Sequence, residues 1–246
     1  NAAIFGSMHE CGHALYEQQI GPELVGTNLF EGTSMGIHES QSRFWENVIG
    51  RSYPFWERYY GQLQELFPSE LGSVSLAAFH RAINVVHPSP IRVEADEVTY
   101  NLHIMMRYEI EKGLIGGDLR VKDLPEIWRA KAKEDLGLEL ATDRDGVLQD
   151  VHWSAGLIGY FPSYTLGNLY SAQFTTALIQ SMPDFTQAIR QGQFTEIRAW
   201  LRDQIHRHGR QKTPQEIVRA VTGSDLKVDD LLSYLTQKFE PLYGLQ

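Results

Sequence analysis

His9, Glu10 and His13 are the residues whose types and spacing could do chemistry. They stand in the stretch MHECGHALYEQ, residues 8–18, as an H-E-x-x-H pattern. On a helix, positions i and i+4 lie on one face about one turn apart. Two imidazoles at that spacing can hold one zinc ion, and the glutamate between them can reach a water on the metal. Taken alone, the pattern also matches a solvated pair of histidines on any amphipathic helix.

Three features favour the metal reading. The flanks of the pattern are apolar, which predicts a buried helix. Gly12 lets another segment approach closely. A third ligand is also at hand in Glu39, within Gly36-Ile37-His38-Glu39-Ser40. Catalytic zinc typically takes three protein ligands and leaves one position open, and two His with one Glu is an established set. The plain alternative for Glu39 is an ion pair with Arg43 at i+4. His38 points elsewhere on the same helix and is not counted as a ligand.

The elements that must position these groups read as helices. Ile4, Phe5, Met8, Cys11, Gly12 and Leu15 recur at helical spacing, which predicts a helix over 2–19, ended by Gly21-Pro22. Residues 24–30 alternate loosely and suggest a small β element. A second helix is expected from Thr33 or Ser34 to about residue 53, with Ile37, Phe44, Trp45, Val48 and Ile49 facing the core. An aromatic helix over 54–67 reads as core or as a dimer face, and a short helix is expected over 75–86. The segment 91–115 gives a long helical pattern with Ile91, Ala95, Val98, Leu102 and Met105 on one stripe, stopped by Gly116-Gly117. Asp123 is expected to cap a helix over 124–136, with Pro125 in its first turn. Residues 137–150 form a polar connection, and 151–180 are helical with interruptions at Gly156, Gly159 and Pro162. Helices over 184–191, 194–208, 214–222 and 228–239 complete the chain, the third opened by Thr213-Pro214-Gln215-Glu216. The class is mostly α, in one multi-helix region over 1–246.

Composition narrows the partners. The 246 residues are 42% apolar and 22% charged, ordinary values for a globular domain with a large core. A net charge of −9 argues against nucleic acid, which needs a basic surface. No run of eighteen apolar residues predicts a membrane span. The single cysteine, Cys11, allows no internal disulfide and fits a reducing, cytoplasmic setting. It is expected to be a small buried filler. The opening Asn1-Ala2-Ala3-Ile4 has neither Met nor the shape of a signal peptide, so the chain is expected to be the later part of a longer protein.

Four motifs now carry a family resemblance: MHECGHALYEQQ, GTSMGIHESQSRFWEN, IRVEADEVTYNLH and GVLQDVHW. In this order, with the tail HRHGRQKTPQEIVRAVTGSDLKVDDLLSYLTQKF, they resemble the M32 metallocarboxypeptidases, the carboxypeptidase Taq family. The resemblance covers essentially all 246 residues. It implies a multi-helix zincin-like metallopeptidase architecture in one helical catalytic region over 1–246, and an often homodimeric, metal-dependent hydrolase that removes residues from peptide C-termini with broad specificity. It implies His9, His13 and Glu39 as ligands to Zn2+, with Co2+ as a substitute, and Glu10 as general base. Family members carry a long N-terminal half with an HPF and a DxRxT motif. Neither occurs here, so the chain resembles the C-terminal half, and one wall of the cleft is expected to be missing.

A carboxypeptidase must also recognise a free α-carboxylate, for which arginine is best suited. Arg92, in the IRxxAD motif, is the candidate, with Asp96 at i+4 holding it. His152, in the QDxHW motif, is a candidate oxyanion stabiliser, and Tyr160 and Tyr164 follow it. Of the two, Tyr164 is the preferred candidate. The competing readings are a related helical zinc endopeptidase or dipeptidase, and a metal-binding fragment without catalysis.

Overall fold

The computed structural model describes residues 2–245; Asn1 and Gln246 lie outside them. All regular structure among the described residues is helical, in two compact units. The first combines residues 2–84 with 166–245, and the second spans Val85–Thr165.

In the first unit, α1 (Ala2–Gln18) carries the H-E-x-x-H pattern and packs on α2 (Met35–Arg43). Ser34 caps α2 by accepting the Ile37 N–H on its side chain, where the sequence predicts a helix start. After Arg43 the helix widens into π turns over Phe44–Gly50. Such turns are rare and are often found at functional sites. Helices α3 (Tyr53–Leu66), α4 (Pro68–Leu71) and α5 (Leu76–Ile83) follow. Trp56 and Tyr60 of α3 bury with Phe5 and Ile83, so the aromatic helix is largely core.

The second unit holds α6 (Tyr100–Gly116) and α7 (Leu124–Leu136), packed around Met106, Ile110, Trp128 and Ala132. Helix α8 (Pro162–Ser181) begins in this unit and continues in the first. There α9 (Phe185–Gln191), α10 (Thr195–Gln204), α11 (Pro214–Thr222) and α12 (Asp229–Tyr243) complete the chain. Tyr170, Phe174 and Leu178 of α8 join Tyr16, Ile37, Phe44 and Ile49 in the main core. The Thr213–Glu216 capping box is formed in full.

Several expectations are corrected. No strand forms at 24–30: a 3₁₀ turn at Pro22–Leu24 leads into turns, and Gly26 sits at φ +82°. Val25, Leu29 and Phe30 are exposed, so their alternation marks no buried face. The segment 91–115 is not one helix. Asp96 accepts the Val98 and Thr99 N–H groups on Oδ1 and the Thr99 hydroxyl on Oδ2, and α6 starts only at Tyr100. The predicted stripe therefore fails, since Leu102 and Met105 are exposed while Ile104, Met106 and Ile110 are buried. Asp123 makes no cap bond; its carboxylate accepts from Arg120 Nε instead. Cys11 is exposed rather than a buried filler. Helix α1 buries Phe5, Gly12 and Tyr16 but turns Ile4, Glu10 and Cys11 outward, so its flanks are only half covered.

Among the described residues, no helix is long and apolar enough to cross a membrane.

Candidate metal centre

Helices α1 and α2 bring His9, His13 and Glu39 together, each offering one ligand atom within 4.8 Å of the others. Glu39 Oε2 stands 3.5 Å from Nε2 of His9 and 3.5 Å from Nε2 of His13. The close approach depends on Gly12. A Cβ there would fall 2.5 Å from Gln41 O and 2.6 Å from Ser42 Cα. Gly167 of α8 presses on the same carboxylate, since its Cβ would lie 2.5 Å from Glu39 Cγ.

Each imidazole uses its other nitrogen elsewhere. His9 Nδ1 lies 2.9 Å from Glu46 Oε2, and His13 Nδ1 lies 2.6 Å from His38 Nδ1. Both Nε2 atoms are thereby left to Glu39 and the space between the three side chains. Ligating histidines almost always donate their second N–H to a carboxylate, backbone carbonyl or water, as His9 does to Glu46. Both readings of Glu39 coexist, because Arg43 Nε donates to Oε1 at 2.8 Å while Oε2 serves the cluster.

Burial alone would raise the Glu39 pKa. The Arg43 charge and the two histidines outweigh it and hold the carboxyl at about 2. Glu46 is also buried, and His9, Arg43 and Arg51 keep its pKa below the usual carboxylate value. One carboxylate and two ring nitrogens make a donor set suited to a divalent ion. Glu10 lies on the exposed side of α1, beside His9 in sequence.

Glu46, Glu17 and Gly167 are given no role by the sequence pattern, Arg43 enters there only as the alternative partner of Glu39, and His38 is not counted as a ligand. Glu17 had a signal, since it continues the four-residue spacing of His9 and His13. Glu46 lies seven residues after Glu39, two turns along, but within the π turns that no periodicity announces.

The other candidates lie in the second unit. Arg92 is buried and grips Asp150, with Nε 3.1 Å and Nη2 2.7 Å from Oδ1; its Nη1 donates to the Tyr100 hydroxyl at 3.0 Å. The expected Asp96 partner is not used, because Asp96 caps the turn before α6. Arg107 shares Asp150 from the other side, 2.6 Å from Oδ2. His152 Nε2 lies 2.9 Å from the Tyr164 hydroxyl, and the Arg92 guanidinium sits 4.7 Å from the Tyr164 ring centre. Tyr160 packs beside both, its ring 5.5 Å from His152 and 5.4 Å from Tyr164. Burial lowers the His152 pKa and favours the neutral ring.

An H-E-x-x-H helix joined by a glutamate from the following helix, in an all-helical frame, defines a metallopeptidase-type centre. The chain belongs to the carboxypeptidase Taq (M32) metallopeptidase family, whose pattern it matches over residues 1–239. It is 50% identical over 243 residues to carboxypeptidase 1 of Bacillus subtilis, covering 99% of this chain and 48% of that protein. It is 50% identical over 244 residues to thermostable carboxypeptidase 1 of Thermus thermophilus, with 99% and 48% covered. The solved M32 carboxypeptidase of Deinococcus radiodurans superposes with a TM-score of 0.96 at 44% identity, over 98% of this chain and 49% of that one. The chain thus spans about half the length of the relatives it matches. A metallopeptidase family implies a divalent metal.

Proposed function

We propose that this chain carries the metal centre of a carboxypeptidase that removes residues from the free C-termini of peptides with broad specificity. The observation that supports this most is the joining of His9, His13 and Glu39 beside Glu10, with both His Nε2 atoms left for an ion. Zn2+ is the proposed metal, with Co2+ as a substitute. When bound, such an ion supplies a Lewis acid for the scissile carbonyl and acidifies water.

The chain's own residues supply the rest. Glu10 accepts the proton of the attacking water and passes it to the leaving amine. Glu39 stays ionised, balancing charge at the centre, and Glu46 and His38 hold the histidine rings. Arg92 takes the substrate's α-carboxylate, with Asp150 rather than Asp96 fixing its guanidinium. His152 and Tyr164 stabilise the developing oxyanion, and Tyr160 lines the same cluster. The working assembly is a homodimer, in the cytoplasm, with peptides as its partners.

The test is peptide digestion with Zn2+ or Co2+, using one substrate with a free C-terminus and one amidated. Stepwise release of amino acids from the free end alone is expected, abolished by chelation or by Glu10→Gln. Equal internal cleavage of both substrates would replace this reading by an endopeptidase. Stoichiometric metal without any release would leave a metal-binding domain.

A further inference from the structure

We propose that His38 is a positioning residue, the middle link of a relay Glu17–His38–His13 that fixes the hydrogen and the plane of one metal-facing imidazole. The inference deepens the metal-centre reading above and rests on it.

The hydrogen positions follow from the distances. His13 Nδ1 and His38 Nδ1 are 2.6 Å apart, so one carries the hydrogen and the other accepts it. A His13 that ligates through Nε2 must keep its hydrogen on Nδ1. His38 Nδ1 is then the acceptor, and the His38 hydrogen sits on Nε2. That atom lies 2.8 Å from Glu17 Oε1, which accepts it. The reverse assignment puts a hydrogen on His13 Nε2 and removes it as a ligand. One arrangement therefore satisfies both short contacts and leaves the ligand lone pair free.

The relay is caged. Glu17 Oε1 also accepts the Gly32 N–H at 3.1 Å, so its position is set from two sides. The Tyr16 ring lies 5.0 Å from the His38 ring, and its hydroxyl accepts the Thr33 N–H at 3.1 Å. A Cβ on Gly32 would fall 2.8 Å from His38 Cδ2 and 3.1 Å from Glu17 Oε1. The loop at Gly32 is tied down in turn by Arg210, whose Nε donates to Gly32 O at 3.2 Å. His9 has no such intermediary, because Glu46 meets it directly. One imidazole is thus oriented by a carboxylate and the other through a second imidazole.

The experiment is Zn2+ affinity by chelator competition on wild type, His38→Phe, His38→Gln and Glu17→Ala. Circular dichroism of each metal-free form checks that it folds. Phe keeps the ring against Tyr16 but has no acceptor for His13, so a 10–100-fold weaker affinity is expected. Gln can accept from His13 and donate to Glu17, so it should recover part of the loss. Glu17→Ala should weaken binding by about threefold or more. The d–d absorption of bound Co2+ should also shift in His38→Phe, which a merely structural role would not cause. Wild-type affinity in a folded His38→Phe overturns the relay. If that variant does not fold, Glu17→Ala decides, since its side chain is 42% exposed, and unchanged affinity overturns the relay equally. Wild type that binds no stoichiometric Zn2+ overturns instead the metal reading on which the relay stands.

Discussion

Arg43 holds one oxygen of Glu39 at 2.8 Å and leaves the other facing two imidazoles. The pairing keeps the buried carboxyl ionised, at about 2 against an ordinary 4.5. A depressed folded pKa contributes stability above the unfolded value, and that stability is lost as pH falls from about 4.5 through about 2. Arg43→Met should raise the Glu39 pKa by about one unit. Acid titration of the metal-free protein, followed by circular dichroism, should then show unfolding begin at higher pH. An unchanged acid limb would show that Arg43 does not hold the charge.

Gly12 and Gly6 sit six residues apart on α1, less than two turns, in opposite circumstances. A Cβ at Gly12 runs into the backbone of α2 at 2.5 and 2.6 Å, whereas one at Gly6 meets nothing within 4 Å. Gly12→Ala should therefore cost about 1–3 kcal/mol through forced separation of α1 from α2. Gly6→Ala should gain about 0.5–1 kcal/mol from helix propensity. Denaturant unfolding of the two variants should move in opposite directions, and Gly12→Ala alone should weaken metal binding.

The Gly12 contact was legible in the sequence because a glycine between two spaced histidines has a local meaning. So were Ser34 and the Thr213–Glu216 box, both of which depend on residues within four positions. What was not legible depends on distant partners. Arg92 takes Asp150, 58 residues away, instead of the nearby Asp96. Asp96 is drawn to backbone N–H groups because the chain turns before α6, and no apolar periodicity records that turn. Cys11 is exposed although its neighbours are apolar, since helical spacing cannot say how many sides of α1 are covered. Glu46 reaches His9 from π turns, where α-helical counting no longer applies.

His206 is buried between the side chains of Gln19 and Gln41, each 2.7 Å from a ring nitrogen. Burial, helped by the His38 ring nearby, lowers its pKa to about 3. The unfolded chain binds a proton near pH 6.5 while the folded chain refuses it, so stability falls as pH drops from about 6.5 toward about 3. At pH 5 the loss from this one group is about 2 kcal/mol. Urea unfolding at pH 7 and pH 5 should show that loss in wild type. His206→Gln, already less stable at pH 7, should lose correspondingly less between the two values.

Asp150 is shared by two buried guanidiniums, Arg92 on Oδ1 and Arg107 on Oδ2. Its pKa stays below the ordinary value because the two arginines outweigh the cost of burial. Arg107 is fully buried, and burial lowers its pKa to about 10, which still leaves it charged at neutral pH. Asp150→Asn removes the only carboxylate in contact with either cation among the described residues. Breaking a buried pair from one side typically costs about 3–5 kcal/mol, because the remaining charge has no partner. Here two charges are stranded, so Asp150→Asn should destabilise at the upper end of that range. Adding Arg107→Met removes one of them and fills its space beside Trp128, whose ring lies 4.6 Å from the guanidinium. The double variant should therefore be more stable than Asp150→Asn alone, by about 1 kcal/mol or more. Chemical unfolding of the three proteins measures this. A double variant weaker than the single would mean that the Arg107 contacts with Trp128 and His103 O outweigh its charge.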